Sequence, residues 1–191
     1  MSVFDDSDMK IADGGSREKS DAIDTAAFLE ETGNQHFNGN MSKAKALGSD
    51  IVSAFSYRDT PDDVKELILS AGIESSFVVL NEIRILSVFC AEYCLDEFLP
   101  SPLLSSAAAA QMFDVLQELM PEFYERMSHS ASFSFYYLCL KSNKKLEKSI
   151  GEAFAEMCDE PENKGLRNLG SELFTGCVGL FKKAIQGYSF V

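Results

Sequence analysis

From Ile73 to Leu99 the chain runs IESSFVVLNEIRILSVFCAEYCLDEFL, its longest apolar stretch, with neither glycine nor proline. At 100° per residue, Phe77, Leu80, Ile83, Leu86, Cys90, Tyr93, Cys94 and Phe98 form one broad apolar sector. Glu74, Asn81, Glu82, Glu92 and Asp96 gather on the other side, yet Val78, Ile85 and Phe89 fall among them. A helix that is apolar nearly all round has neighbours on most sides, so this stretch predicts a buried central helix. A straight helix of that length extends about 40 Å, enough for a bilayer. Six charges interrupt it, however, and each costs about 2.5–3.5 kcal/mol near mid-membrane, so no membrane span is expected.

The flanking pattern is also helical. Met41 to Tyr57 places Ala44, Leu47, Ile51 and Phe55 on one stripe. Thr60-Pro61-Asp62-Asp63 has the residues of a helix start, and Gly72 those of a helix end. Pro100 and Pro102 break the chain, and Ser105 to Met127 resumes as helix, with Pro121 kinking or splitting it near Met120. Ala107 to Ala110 make a small-residue patch that admits a close neighbour. Phe133 to Leu140 alternates enough to suit a strand, but the period continues through Leu146, Ile150, Phe154 and Met157 and predicts one helix. A last helix, Leu166 to Gly187, aligns Leu166, Leu169, Leu173, Cys177, Leu180 and Ala184. No strand–helix alternation or hairpin signal appears. The expected architecture is an all-α bundle of about six helices, a single domain over residues 41–191.

Residues 1–40 are poor in large apolar side chains and rich in Asp, Ser and Gly, which predicts an acidic, mostly disordered tail. Within it, Asp21 to Glu31 has the pattern of a short helix docking Ile23, Ala27 and Phe28, and Gly33 to Asn40 reads as a linker. The net charge of −13 argues against nucleic acid and anionic membranes as partners. Its distribution is uneven: 3 bases and 9 acids in residues 1–40, 6 and 14 in 41–140, 8 and 7 in 141–191. The N-terminus shows no signal-peptide pattern, and the odd number of cysteines (five) within apolar helical patterns argues for free thiols in a reducing cytoplasm.

Candidate chemistry is sparse. Cys90 and Cys94 share a helical face and, with Cys139 or Cys177, have the ligand type for zinc or copper(I), but the tight pairs of zinc modules are missing, so they read as core residues. His36 and His129 belong to no ligand or triad grouping. The acids Glu118, Glu122 and Glu125 and the pair Glu92/Asp96 lack the histidines of a di-metal bundle. Gly14-Gly15 lacks P-loop spacing, and Gly170, Gly176 and Gly179 point to close helix packing. No catalytic residue, cofactor or metal is assigned.

Two surfaces remain. Lys141, Lys144, Lys145 and Lys148 follow i, i+3, i+4, i+7 and form a basic stripe fit for an acidic segment, this chain's Asp5, Asp6 and Asp8 included. Val78, Ile85 and Phe89 beside Glu82 and Glu92 form either an acid-rimmed partner patch or part of the core. The reading that follows is a non-catalytic cytoplasmic interaction protein, adaptor or self-associating bundle, whose partner is another protein or a second copy. The alternative is a small-molecule or metal-binding protein, even an enzyme, with a pocket between the central and last helices lined by Phe133, Phe135, Tyr136 and Tyr137.

Overall fold

In a computed structural model, residues 15–57, 59–141 and 144–191 are described, with side chains from Thr25 onward apart from Ala26. Among them are nine helices and no strand: α1 Gly15–Phe37, α2 Asn40–Val52, α3 Asp62–Ser70, α4 Phe77–Phe98, α5 Pro102–Leu119, α6 Pro121–Ser128, α7 Ser132–Leu140, α8 Leu146–Met157 and α9 Lys164–Gly187. The all-α class stands. The helix number rises from about six because α1 forms and two expected helices divide.

Each division has a chemical cause. Pro121 cannot donate to the ladder, and Met120 turns out of helical geometry at φ −138°, ψ 58°, so α5 and α6 separate where the proline predicted. The expected helix from Phe133 to Met157 stops at Leu140 and restarts at Leu146, with Lys145 extended at φ −60°, ψ 128°. The intervening sequence Lys-Ser-Asn-Lys-Lys crowds like charges with Ser and Asn, whose side chains compete for backbone groups. The lysine stripe is therefore corrected. Lys141, Lys144 and Lys145 lie in this joint and Lys148 in the first turn of α8, all exposed but not on one helical face.

At the N-terminal side, α1 runs through the segment expected to be mostly disordered and takes in Gly33 to Phe37 of the expected linker. Ala27 and Phe28 are exposed rather than docked. Ile23, Asp5, Asp6 and Asp8 lie outside the described side chains. Gly39, at φ 73°, makes the left-handed turn into α2 that a residue without Cβ adopts at little cost.

The core is centred on α4, which packs on α5, α7, α8 and α9, while α2 lies along α5 and α8 along α9. Ser76 Oγ accepts from Val79 N at 3.2 Å and caps α4, leaving Ile73 to Ser76 outside the helix. Val79, Ile83, Ile85, Leu86, Val88, Phe89, Cys90, Cys94 and Leu95 are all buried. The alanine patch performs as expected: Gly48 of α2 meets the backbone of Ala108 in α5. Gly170 of α9 likewise lies against Phe154 and Gly151 of α8, but Gly176 and Gly179 face open space. The buried stripe of α9 is Leu166, Leu169, Leu173, Phe174, Phe181 and Ile185, while Leu180 and Ala184 of the expected stripe are exposed.

Candidate functional site

Phe77, Asn81 and Arg84 follow i, i+4, i+7 along α4 and so share one stripe. At its inner end, Arg84 Nη2 donates to the Tyr57 carbonyl at 2.8 Å, and the guanidinium lies 4.6 Å from the centroid of the Tyr57 ring. Burial pushes the Tyr57 phenol up, against the opposing pull of Arg84. Arg84 Nε is buried with no hydrogen-bond acceptor among the described residues. A buried donor left unmatched costs about 1–3 kcal/mol, so its retention calls for an explanation.

The opposite wall comes from the proline break. Leu119 ends α5 and is 60% exposed; Met120, Pro121, Glu122 and Phe123 carry the chain into α6. One turn further, Arg126 lies over the Phe77 ring at 5.4 Å and donates from Nε to Asn81 Oδ1 at 3.4 Å. Phe77 itself is 68% exposed. Between these walls is a cleft of about 530 Å³, lined by both arginines, Tyr57, Leu119 and the first turn of α6. That volume lies within the range of ligand sites.

The electrostatics of the cleft run against those of the protein. Arg84 and Arg126 are two of the six bases in residues 41–140, among 14 acids. The ion pairs among the described residues are Lys65–Asp62, Lys144–Glu152 and Arg167–Glu162, so neither cleft arginine is neutralised by a carboxylate. Glu122 is the one acid in the lining. The arrangement can hold an anionic group beside an apolar one.

The residues singled out from sequence lie elsewhere. Ile85 and Phe89 are fully buried, with Phe89 beneath α7, against Phe133, Tyr136 and Tyr137 at ring separations of 6.1, 5.2 and 5.4 Å. They are core in this fold, and only Val78 of that patch remains at the surface. Phe133, Tyr136 and Tyr137 of α7 thus pack against Phe89 of α4, while Phe135 is exposed. The α4–α9 seam is direct packing, with Cys94 Sγ 3.9 Å from the Val178 carbonyl and Ser87 Oγ 3.9 Å from Cys177 Sγ. Burial pushes the Cys94 thiol up to about 12, whereas hydrogen bonds from Cys90 and Ser87 hold Cys177 below its ordinary value. Among the described residues no group of three or more His, Cys, Asp or Glu is placed to hold a metal ion. His36 and His129 are exposed.

A second polar feature lies inside the core. Glu82 accepts from Tyr136 Oη at 2.5 Å and Ser132 Oγ at 3.0 Å. Burial raises its pKa above the ordinary 4.5, and the two hydroxyl donors oppose that rise without cancelling it. The folded state therefore holds this proton more tightly than the unfolded state. Its stabilising contribution is complete below about pH 4.5 and is lost as pH rises through the elevated folded value. Glu82→Gln is accordingly expected to gain ground on the native protein as pH rises from 4 to 7. Urea midpoints at the two pH values check this, and a constant difference would contradict it. Tyr136→Phe, which deletes one donor, should cost about 1–2 kcal/mol in the same assay.

The sequence alone marks neither arginine of the cleft: Arg84 reads there only as an interruption of an apolar helix. The available signal was the spacing Phe77–Asn81–Arg84 and the scarcity of bases in the middle of an acidic chain. Comparison with protein-family models, with curated proteins and with solved structures gives no significant match.

Proposed function

We propose that this chain is a non-catalytic helical interaction protein that docks a segment of another protein in the cleft between α4 and α6. The observation that carries the reading is the pair Arg84 and Arg126, without carboxylate partners among the described residues in an otherwise acidic region, beside the exposed Leu119 of the lining and the exposed Phe77 ring under Arg126. Arginine and aromatic side chains are enriched among the anchors of protein interfaces. The partner segment is acidic with a large apolar neighbour: its acid meets the arginines, and its apolar side chain meets Phe77 and Leu119. The acids of the surrounding residues 41–140 repel the same segment and favour the cleft over that part of the surface. The free state of all five thiols is in keeping with work in a reducing cytoplasm.

Selection of a random linear peptide library against the full chain tests this. Enriched peptides should combine Asp or Glu with a large apolar residue, and Arg126→Glu should weaken them at least about tenfold, a loss of about 1.4 kcal/mol. Arg126 is exposed, so the variant should keep its circular dichroism spectrum and urea midpoint. Peptides that ignore Arg126→Glu, or a protein dimer that buries the cleft, would contradict the reading; the latter would assign the cleft to a second copy.

A further inference from the structure

We infer that the anionic group held by the cleft is a phosphate monoester, carried on a side chain of the docked segment; this rests on the docking reading above. Three sets of donors line the cleft. Arg84 is half-buried in the lining and is oriented from behind by the Tyr57 carbonyl and ring. Arg126 reaches in from the other wall, held only by a long contact to Asn81 and by the Phe77 ring.

The third set is the start of α6. Pro121 has no N–H to offer, and no side chain caps the helix at Met120. Glu122 and Phe123 are the second and third residues of α6, whose N–H groups have no carbonyl four residues back within the helix. Both residues line the same cleft, where the positive end of the helix adds to the two guanidinium charges.

A carboxylate offers two oxygens in one plane, which a single arginine fork satisfies. A phosphate monoester offers three terminal oxygens in a tetrahedral arrangement and a charge near −2 at pH 7, and so matches donors that come from two helices and a backbone turn. Recognition of phosphorylated segments by arginine clusters follows this logic. The exposed apolar side chains at the rim then contact the residues flanking the phosphate. Glu122 is the one opposing charge, and its removal should tighten the site.

The test is a ¹H–¹⁵N titration of the full chain with phenyl phosphate and, at equal ionic strength, with 3-phenylpropionate as a carboxylate of similar size. Phenyl phosphate should shift the Nε–H signals of Arg84 and Arg126 and the amides of Glu122 and Phe123 to saturation, about tenfold more tightly than the carboxylate. Arg126→Gln should weaken phenyl phosphate about tenfold, and Glu122→Gln should strengthen it, in proteins whose remaining spectrum is unchanged. Equal affinities for the two probes would overturn the phosphate assignment and leave the docking reading standing. Cleft signals that respond to the selected peptides but to neither probe would have the same meaning. Cleft signals that respond to nothing would remove both.

Discussion

Replacing Phe89 with alanine is expected to destabilise the fold by about 3–5 kcal/mol, the cost of deleting a large aromatic side chain from a core that cannot close over the gap. Phe89 is 0% exposed and lies within ring contact of Tyr93, Phe133, Tyr136 and Tyr137, so one deletion loosens the attachment of α7 to α4. Edge and stacked aromatic pairs add to the plain area term. Phe89→Glu should go further and leave the chain unfolded at neutral pH, because it buries a carboxylate with no provision for it in a protein whose total stability is about 5–15 kcal/mol. Urea unfolding followed by circular dichroism checks both. A folded Phe89→Glu protein, or an alanine cost under about 1 kcal/mol, would show that α7 does not cover this face.

The second large effect belongs to the crossing of α2 and α5. A Cβ on residue 48 would lie 2.2 Å from the carbonyl oxygen of Ala108 and 3.1 Å from the amide nitrogen of Met112. Both atoms are backbone, so no rotamer change relieves the overlap, and α2 would have to lift from α5 along the line that buries Ala44, Leu47 and Ile51. Gly48→Ala should therefore cost about 3 kcal/mol, the upper part of the usual range for overpacking. Gly176→Ala in α9 is the matched control. Nothing lies within 4 Å of its added methyl, and a helix-interior glycine exchanged for alanine in open space should gain about 1 kcal/mol. Opposite signs in thermal unfolding are expected; equal signs would contradict the close α2–α5 approach.

The same two positions show how far the sequence can be read. The small-residue run at Ala107 to Ala110 pointed to a close neighbour, and α2 is that neighbour, because a missing side chain is a local property visible in one dimension. The proline break at Pro121 was legible for the same reason. Phe89 was not. On its helix it falls among Glu82 and Glu92, and periodicity places it on a polar sector without saying that α7 will cover that sector. Glu82 explains the mixture: a buried carboxylate is tolerated there only because Tyr136 and Ser132, some fifty residues away, bring it two hydroxyls. The lysine stripe failed for a related reason, since a helical spacing has no meaning across a break that Lys-Ser-Asn-Lys-Lys encodes only weakly. The cleft was least legible of all. Tyr57, Arg84 and Arg126 come from three separate segments, and only tertiary packing brings them together.

Hydrogen–deuterium exchange of the full chain, with and without the tightest peptide from the selection, tests the docking cleft most directly because it samples every surface at once. Slowed exchange confined to residues 119–126, the start of α4 and the joint after α2 is the predicted result. Protection on the outer face of α7, where Phe135 and Leu138 are exposed, with the cleft unchanged, would contradict the account.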